Sequence, residues 1–116
     1  MKQVAVHNKT RNIILAGEAL VADTALTRLR GLLGRPPLEN SQALIIRPSQ
    51  GIHTFFMSYP IDAIYVGSEG QIVRCLEHLR PFRFAPISLR TRFVAEFPAG
   101  TLKRTGTRVG DRVELR

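Results

Sequence analysis

Apolar residues in this chain come in short runs, and the seven prolines and nine glycines that separate them are scattered rather than clustered. Such punctuation rules out long continuous elements and calls for many short ones joined by turns. The clearest case is IDAIYV at 61–66 and QIVRCLEHL at 71–79, which flank the turn GSEG and read as a hairpin. Residues 2–7 alternate with β-favouring valines, and 13–16 and 18–22 follow a polar turn, which gives an opening hairpin. Further strands are expected at 43–47, 52–57, 93–97 and 112–115, with a single helical turn within 98–106.

One segment has helical spacing. Asp23 or Thr24 supplies an N-cap, and Leu26, Leu29 and Leu33 recur at i, i+3 and i+7 as an apolar stripe. Gly34 and Pro36-Pro37 end the segment, so one packed α-helix is expected at about 24–34. The resulting fold class is mainly β, a mostly antiparallel barrel or sandwich carrying that helix, with α+β as the alternative description. At 116 residues, with no repeat, linker or low-complexity tract, the chain reads as one domain over 1–116. Its 44% hydrophobic and 22% charged composition excludes a disordered chain.

The net charge is +8, spread along the sequence rather than gathered in a block. A dispersed excess favours anionic partners in general and is a weaker nucleic-acid signal than a block. Cys75 is the only cysteine, so no intrachain disulfide can form. The N-terminal twenty residues lack the apolar core of a signal peptide, and no run approaches membrane-spanning length. A cytoplasmic protein without a membrane partner is the expectation.

Polar residues set inside apolar strands are the candidates for function. Asp62 sits in a strand whose two faces, Ile61/Ala63/Tyr65 and Ile64/Val66, are both apolar, which draws its carboxylate inward. A buried carboxylate needs an arginine, several donors or a proton. Arg28 and Arg35, flanking the helix end, are the preferred partners, and a salt bridge or turn cap outweighs a ligand-binding role. His53 and Thr54 point to opposite sides of one strand, and His53 could pair with Asp62 as acid and base, although a hydrogen-bonded core histidine is the commoner outcome. His7, His53 and His78 lack ligand spacing and one cysteine cannot build a thiolate site, so neither a metal nor a cofactor is expected. Arg80, Arg83, Arg90 and Arg92 are interleaved with Phe82, Phe84 and Phe93, a pattern that could follow a nucleic-acid backbone and stack bases. A solvated loop with phenylalanines plugging the barrel end outweighs that reading.

Three blocks, ADTALTRLRGLLGR at 22–35, IHTFFMSYPIDAIYVGSEGQIV at 52–73 and VAEFPAGTLKRTGTRVGDRVEL at 94–115, resemble the Domain of Unknown Function 192 family, in its His-Thr branch. The resemblance implies a small β-barrel-like domain with one packed helix and lends no activity. Its recurring positions fall here on Arg28, Gly31, Leu32, Arg35, His53, Thr54, Met57, Pro60, Asp62, Gly70, Pro98, Ala99, Gly100, Gly110 and Asp111. Backbone conformation accounts for the glycines and prolines. It does not account for Arg28, Arg35, His53, Thr54 and Asp62.

Three functions follow, in this order. The first is a binding module for a small anionic ligand or a protein partner around Arg28, His53 and Asp62. The second is a nucleic-acid module using residues 80–93. The third is a small acid/base enzyme with His53 and Asp62, the chain reading as non-enzymatic in preference.

Overall fold

Alternating β-branched residues set the strands, and the turns between them fix the order in which the strands meet. The computed structural model of the chain describes residues 1–32, 34–52 and 58–116. Seven strands, β1 (Lys2–Asn8), β2 (Ile13–Ala22), β3 (Gln42–Ile46), β4 (Ile61–Gly67), β5 (Ile72–Leu79), β6 (Thr91–Pro98) and β7 (Val113–Leu115), form one sheet. Their order is β5-β4-β6-β3-β2-β1-β7. All pairings are antiparallel except β2–β3.

The sheet curls until its two edges meet at one end. Gln71 bridges Arg112, and Val113 N–H donates to Gly70 C=O at 2.8 Å. Gly70 has φ +81°, and a Cβ there would stand 2.6 Å from the Val113 carbonyl, so only glycine lets β7 approach this closely. The mainly β fold class expected from sequence is therefore the one observed: a half-barrel with a mixed sheet and, among the described residues, two short helices.

Curling leaves two apolar layers. Val6, Leu15, Val21, Ile45, Ile64, Val66, Phe97 and Leu102 fill one. The other holds Ala22, Leu32, Leu44, Ile46 and Ile61, continued by Ala63, Tyr65, Ala85 and Val94. β4 is central and covered on both sides, so all seven of its residues are buried.

The helices depart from the sequence expectation. α1 (Ala25–Arg30) is only six residues long, capped by the reciprocal Thr24–Thr27 hydrogen bonds. Gly31, at φ +51°, receives its chain end. Leu26 and Leu29 are exposed, Leu32 beyond the helix is buried, and Leu33 lies outside the described residues. The packed helix expected at about 24–34 is thus a short solvent-facing one, because it stops at Arg30 and leaves Leu32 beyond its end, in the core. The helix that docks is α2 (Thr101–Thr105), through Thr101, Leu102 and Thr105. The strand expected at 52–57 falls mostly outside the described residues.

Asp111 organises the turn before β7. Its Oδ2 accepts from Asn8 Nδ2 at 3.0 Å, Arg11 Nε at 2.7 Å and Arg108 N–H at 3.1 Å. Burial opposes ionisation of this carboxyl, but the Asn8, Arg11 and Arg108 hydrogen bonds and the Arg11 charge outweigh it, holding the group below its ordinary 3.8. A depressed carboxylate contributes stability that is present above that ordinary value and is lost as pH falls through the folded one. Asp111→Ala is expected to cost about 2–3 kcal/mol at neutral pH, with the deficit shrinking in acid. Urea melts across the acid range check this, and an equal deficit at every pH would refute it.

Candidate functional site

The interior carboxylates divide between the two layers. Asp62 shares the parity of Ile64 and Val66 and is fully buried. Its Oδ1 accepts from His78 N–H at 2.8 Å, and its Oδ2 accepts from Gly100 N–H at 3.1 Å and Leu102 N–H at 2.9 Å. The carboxylate therefore ties the end of β5 to the start of α2. His78 itself adopts φ +53°, an irregular backbone that leaves its N–H in need of a side-chain acceptor.

This corrects the partner expected for Asp62. Arg28 Nη1 instead donates to Pro48 C=O at 3.1 Å and its Nε to Thr24 C=O at 3.3 Å. Arg35 Nε donates to Gly31 C=O at 3.3 Å. Three converging backbone donors fill the carboxylate, so it needs no cation. Fully buried and engaged on both oxygens, Asp62 fastens backbone and is poorly placed to accept a proton from a reactant. His53 and Thr54 lie outside the described residues.

Glu96 is the interior carboxyl that sequence reasoning passes over. It lies opposite Ala63 of β4 and Leu44 of β3, on the layer away from Asp62. Burial raises its carboxyl from 4.5 to about 8, so it carries its proton at neutral pH. Tyr59 packs in the same layer beside Leu32 and Leu44, and its buried Oη has no hydrogen-bond partner among the described residues. Burial first, then Glu96, raise the Tyr59 phenol, with Arg35 acting against them. Tyr65 Oη, also of this layer, donates to Pro86 C=O at 2.6 Å. The signal that singles out Asp62, a lone carboxylate in an apolar strand, is equally present in FVAEF at 93–97.

Beside this layer a cavity of about 290 Å³ opens between the β2–β3 surface and the chain after α1. Leu20, Leu32, Leu38 and Leu44 supply its apolar walls, and Arg35 and Glu18 its charges. Glu18 Oε2 accepts from Ser41 Oγ at 3.2 Å, whereas Arg35 has no carboxylate within ion-pair distance among the described residues.

The arginine-phenylalanine segment is split. Arg80, Arg83 and Phe84 line an open groove along β5 with Glu77 and His78, while Arg92 lines another with Pro48, Ser49 and Gln50. Arg90 is exposed on the intervening loop. Phe93 packs on the core, but Phe82 and Phe84 are exposed and do not plug the barrel end. Burial, followed by the charges of Asp111, Glu77 and Asp62, pushes the Cys75 thiol up to about 11, so it keeps its proton at neutral pH.

The DUF192 family model, described as "Uncharacterized ACR, COG1430", matches residues 5–115. A UPF0127 protein of Thermococcus sibiricus is 32% identical over 112 residues, covering 92% of this chain and 71% of that protein. A UPF0127 protein of Pyrococcus abyssi is 33% identical over 113 residues, covering 92% and 93%. Among solved structures, a protein of unknown function from Novosphingobium aromaticivorans shares the fold at TM-score 0.78 and 23% identity, over 97% of this chain and 83% of that one. A chain from Sinorhizobium meliloti, provisionally named a transcription regulator, superposes at TM-score 0.79 and 25% identity, over 97% and 92%. No described helix is long and apolar enough to cross a membrane.

Proposed function

The chain belongs to the DUF192 family, described as uncharacterized, and on that premise we propose that it is a non-enzymatic module binding a small anionic ligand with an apolar body. The observation that carries this is Arg35 at the rim of the leucine-walled cavity beside β2 and β3. A guanidinium above apolar walls suits a carboxylate or phosphate joined to a short hydrocarbon portion. The size of the cavity, about 290 Å³, fits a metabolite rather than a peptide. Glu18 is drawn to Ser41 at the same rim and would repel a second negative group, which favours a singly charged ligand. This reading centres the site on Arg35. Arg28 gives both its Nε and its Nη1 to backbone carbonyls and does not line the cavity, Arg35 gives only its Nε among the described residues, and Asp62 serves the other layer.

The test is a titration with a homologous series of short fatty acids and the matching alcohols, followed by amide NMR shifts. Acids are expected to move Leu20, Leu32, Leu38 and Leu44 and to bind more tightly than the alcohols. Arg35→Met keeps the aliphatic stem and is expected to weaken the acids about tenfold or more, as loss of a hydrogen bond to a charged group does. Equal affinity for acid and alcohol, or no effect of the substitution, would remove the proposal.

A further inference from the structure

A second surface, separate from the Arg35 cavity, lies on the loop joining β5 to β6. Four large apolar side chains are exposed within eight residues: Phe82 at 54%, Phe84 at 77%, Ile87 at 77% and Leu89 at 82%. Exposed apolar residues are ordinary when scattered and call for a reason when grouped. The loop backbone is tethered. Ala85 N–H donates to Ile52 C=O at 2.9 Å, Ser88 N–H to Gln50 C=O at 2.8 Å, and Tyr65 Oη to Pro86 C=O at 2.6 Å. Ala85 is buried beneath, so Phe84 and Ile87 cannot fold inward without breaking those bonds. In the sequence Arg80, Arg83, Arg90 and Arg92 flank the apolar group, and no acidic residue occurs between Glu77 and Glu96, although Glu77 shares the groove of Arg80, Arg83 and Phe84.

We infer that this loop docks on an anionic lipid surface, with Phe84, Ile87 and Leu89 seated at the headgroup–acyl boundary and the arginines on lipid phosphates. Exposed apolar side chains on a segment flanked by cations are the pattern of a segment lying in a membrane interface. A nucleic acid would use the phenylalanines for stacking but has no place for Ile87 and Leu89, two of the three most exposed side chains in the group. A two-fold contact between copies would set arginine against arginine.

The experiment is co-sedimentation of the whole chain with vesicles of phosphatidylcholine alone and of phosphatidylcholine containing phosphatidylglycerol, at about 0.15 M salt. Partitioning is expected on the anionic vesicles only. The double substitution Ile87→Ser with Leu89→Ser leaves the charge unchanged and is expected to lower partitioning about tenfold or more. The chain has no tryptophan, so Leu89→Trp gives a single fluorophore, expected to shift to the blue on the anionic vesicles. Three results would overturn the inference: undiminished partitioning of the serine variant, which marks general charge attraction; a tryptophan that stays in water; or an oligonucleotide bound in a Phe84-dependent, Ile87-independent way. All the substituted side chains are solvent-exposed, so melting temperatures within a few degrees of the parent are expected.

Discussion

Replacing Asp62 with alanine is expected to lower folding stability by about 3–5 kcal/mol. The side chain is fully buried and accepts from three backbone N–H groups, those of His78, Gly100 and Leu102. These donors come from two chain segments brought together only in the folded state. Removing the acceptor leaves buried N–H groups unsatisfied, each costing about 1–3 kcal/mol less whatever relaxation or water recovers. The loss is comparable with the whole stability of many domains, about 5–15 kcal/mol. Asp62→Asn should recover only part, since an amide offers one acceptor oxygen and turns a donor toward another donor. Denaturant melts give the total. Hydrogen exchange at Gly100 and Leu102 should accelerate first, because α2 loses its fastening before the sheet opens. A loss under about 1 kcal/mol would mean that the bonds are replaceable by solvent and that Asp62 is available for another role.

The Glu96→Gln substitution is expected to act in the opposite direction. In the folded chain burial raises this carboxyl to about 8, whereas the exposed group ionises near 4.5. For a raised carboxyl the associated stability is fully present below 4.5 and declines as pH rises, levelling off above 8. The span is worth on the order of 5 kcal/mol. Glutamine has nearly the same shape and no proton to lose, so the variant should match the parent below about pH 4.5 and increasingly exceed it from there to mild alkali. The quantity to measure is the difference in unfolding free energy between parent and variant from acid to alkaline pH, in which the other titrating groups cancel. A difference that stays constant with pH would show that Glu96 ionises normally.

The fold was largely legible because its signals are local. The 61–79 hairpin follows from two apolar runs about GSEG, and β4 and β5 lie where that pattern puts them. Parity along 61–66 correctly separated Asp62 from Tyr65. Family membership was legible too, since it rests on the order of residues alone. The stripe failed at Leu26 and Leu29 because periodicity describes a helix that forms, not where it stops. A positive φ at Gly31 ends α1 early, and the sheet has already filled the interior against which those leucines would pack. The Asp62 partner failed for a different reason. The search was for cations, while the structure offers backbone N–H groups, which have no signature in a list of side chains.

Glu96 marks the same boundary most clearly. FVAEF at 93–97 reads as a strand with one polar residue, and a strand with one open face would put that residue in water. Because β6 lies between β3 and β4 and both faces are covered, the carboxyl is shut inside. By itself the sequence placed most of the described strands to within a residue or two, and it determined which residues share a face, the basic charge and the family, all of which depend on neighbours in the chain. Only the tertiary structure decided which carboxylates are buried, what holds them, which leucines reach the core and where Arg35 meets a cavity. Those outcomes depend on which distant segment covers each face, and that is settled when the whole sheet curls and closes.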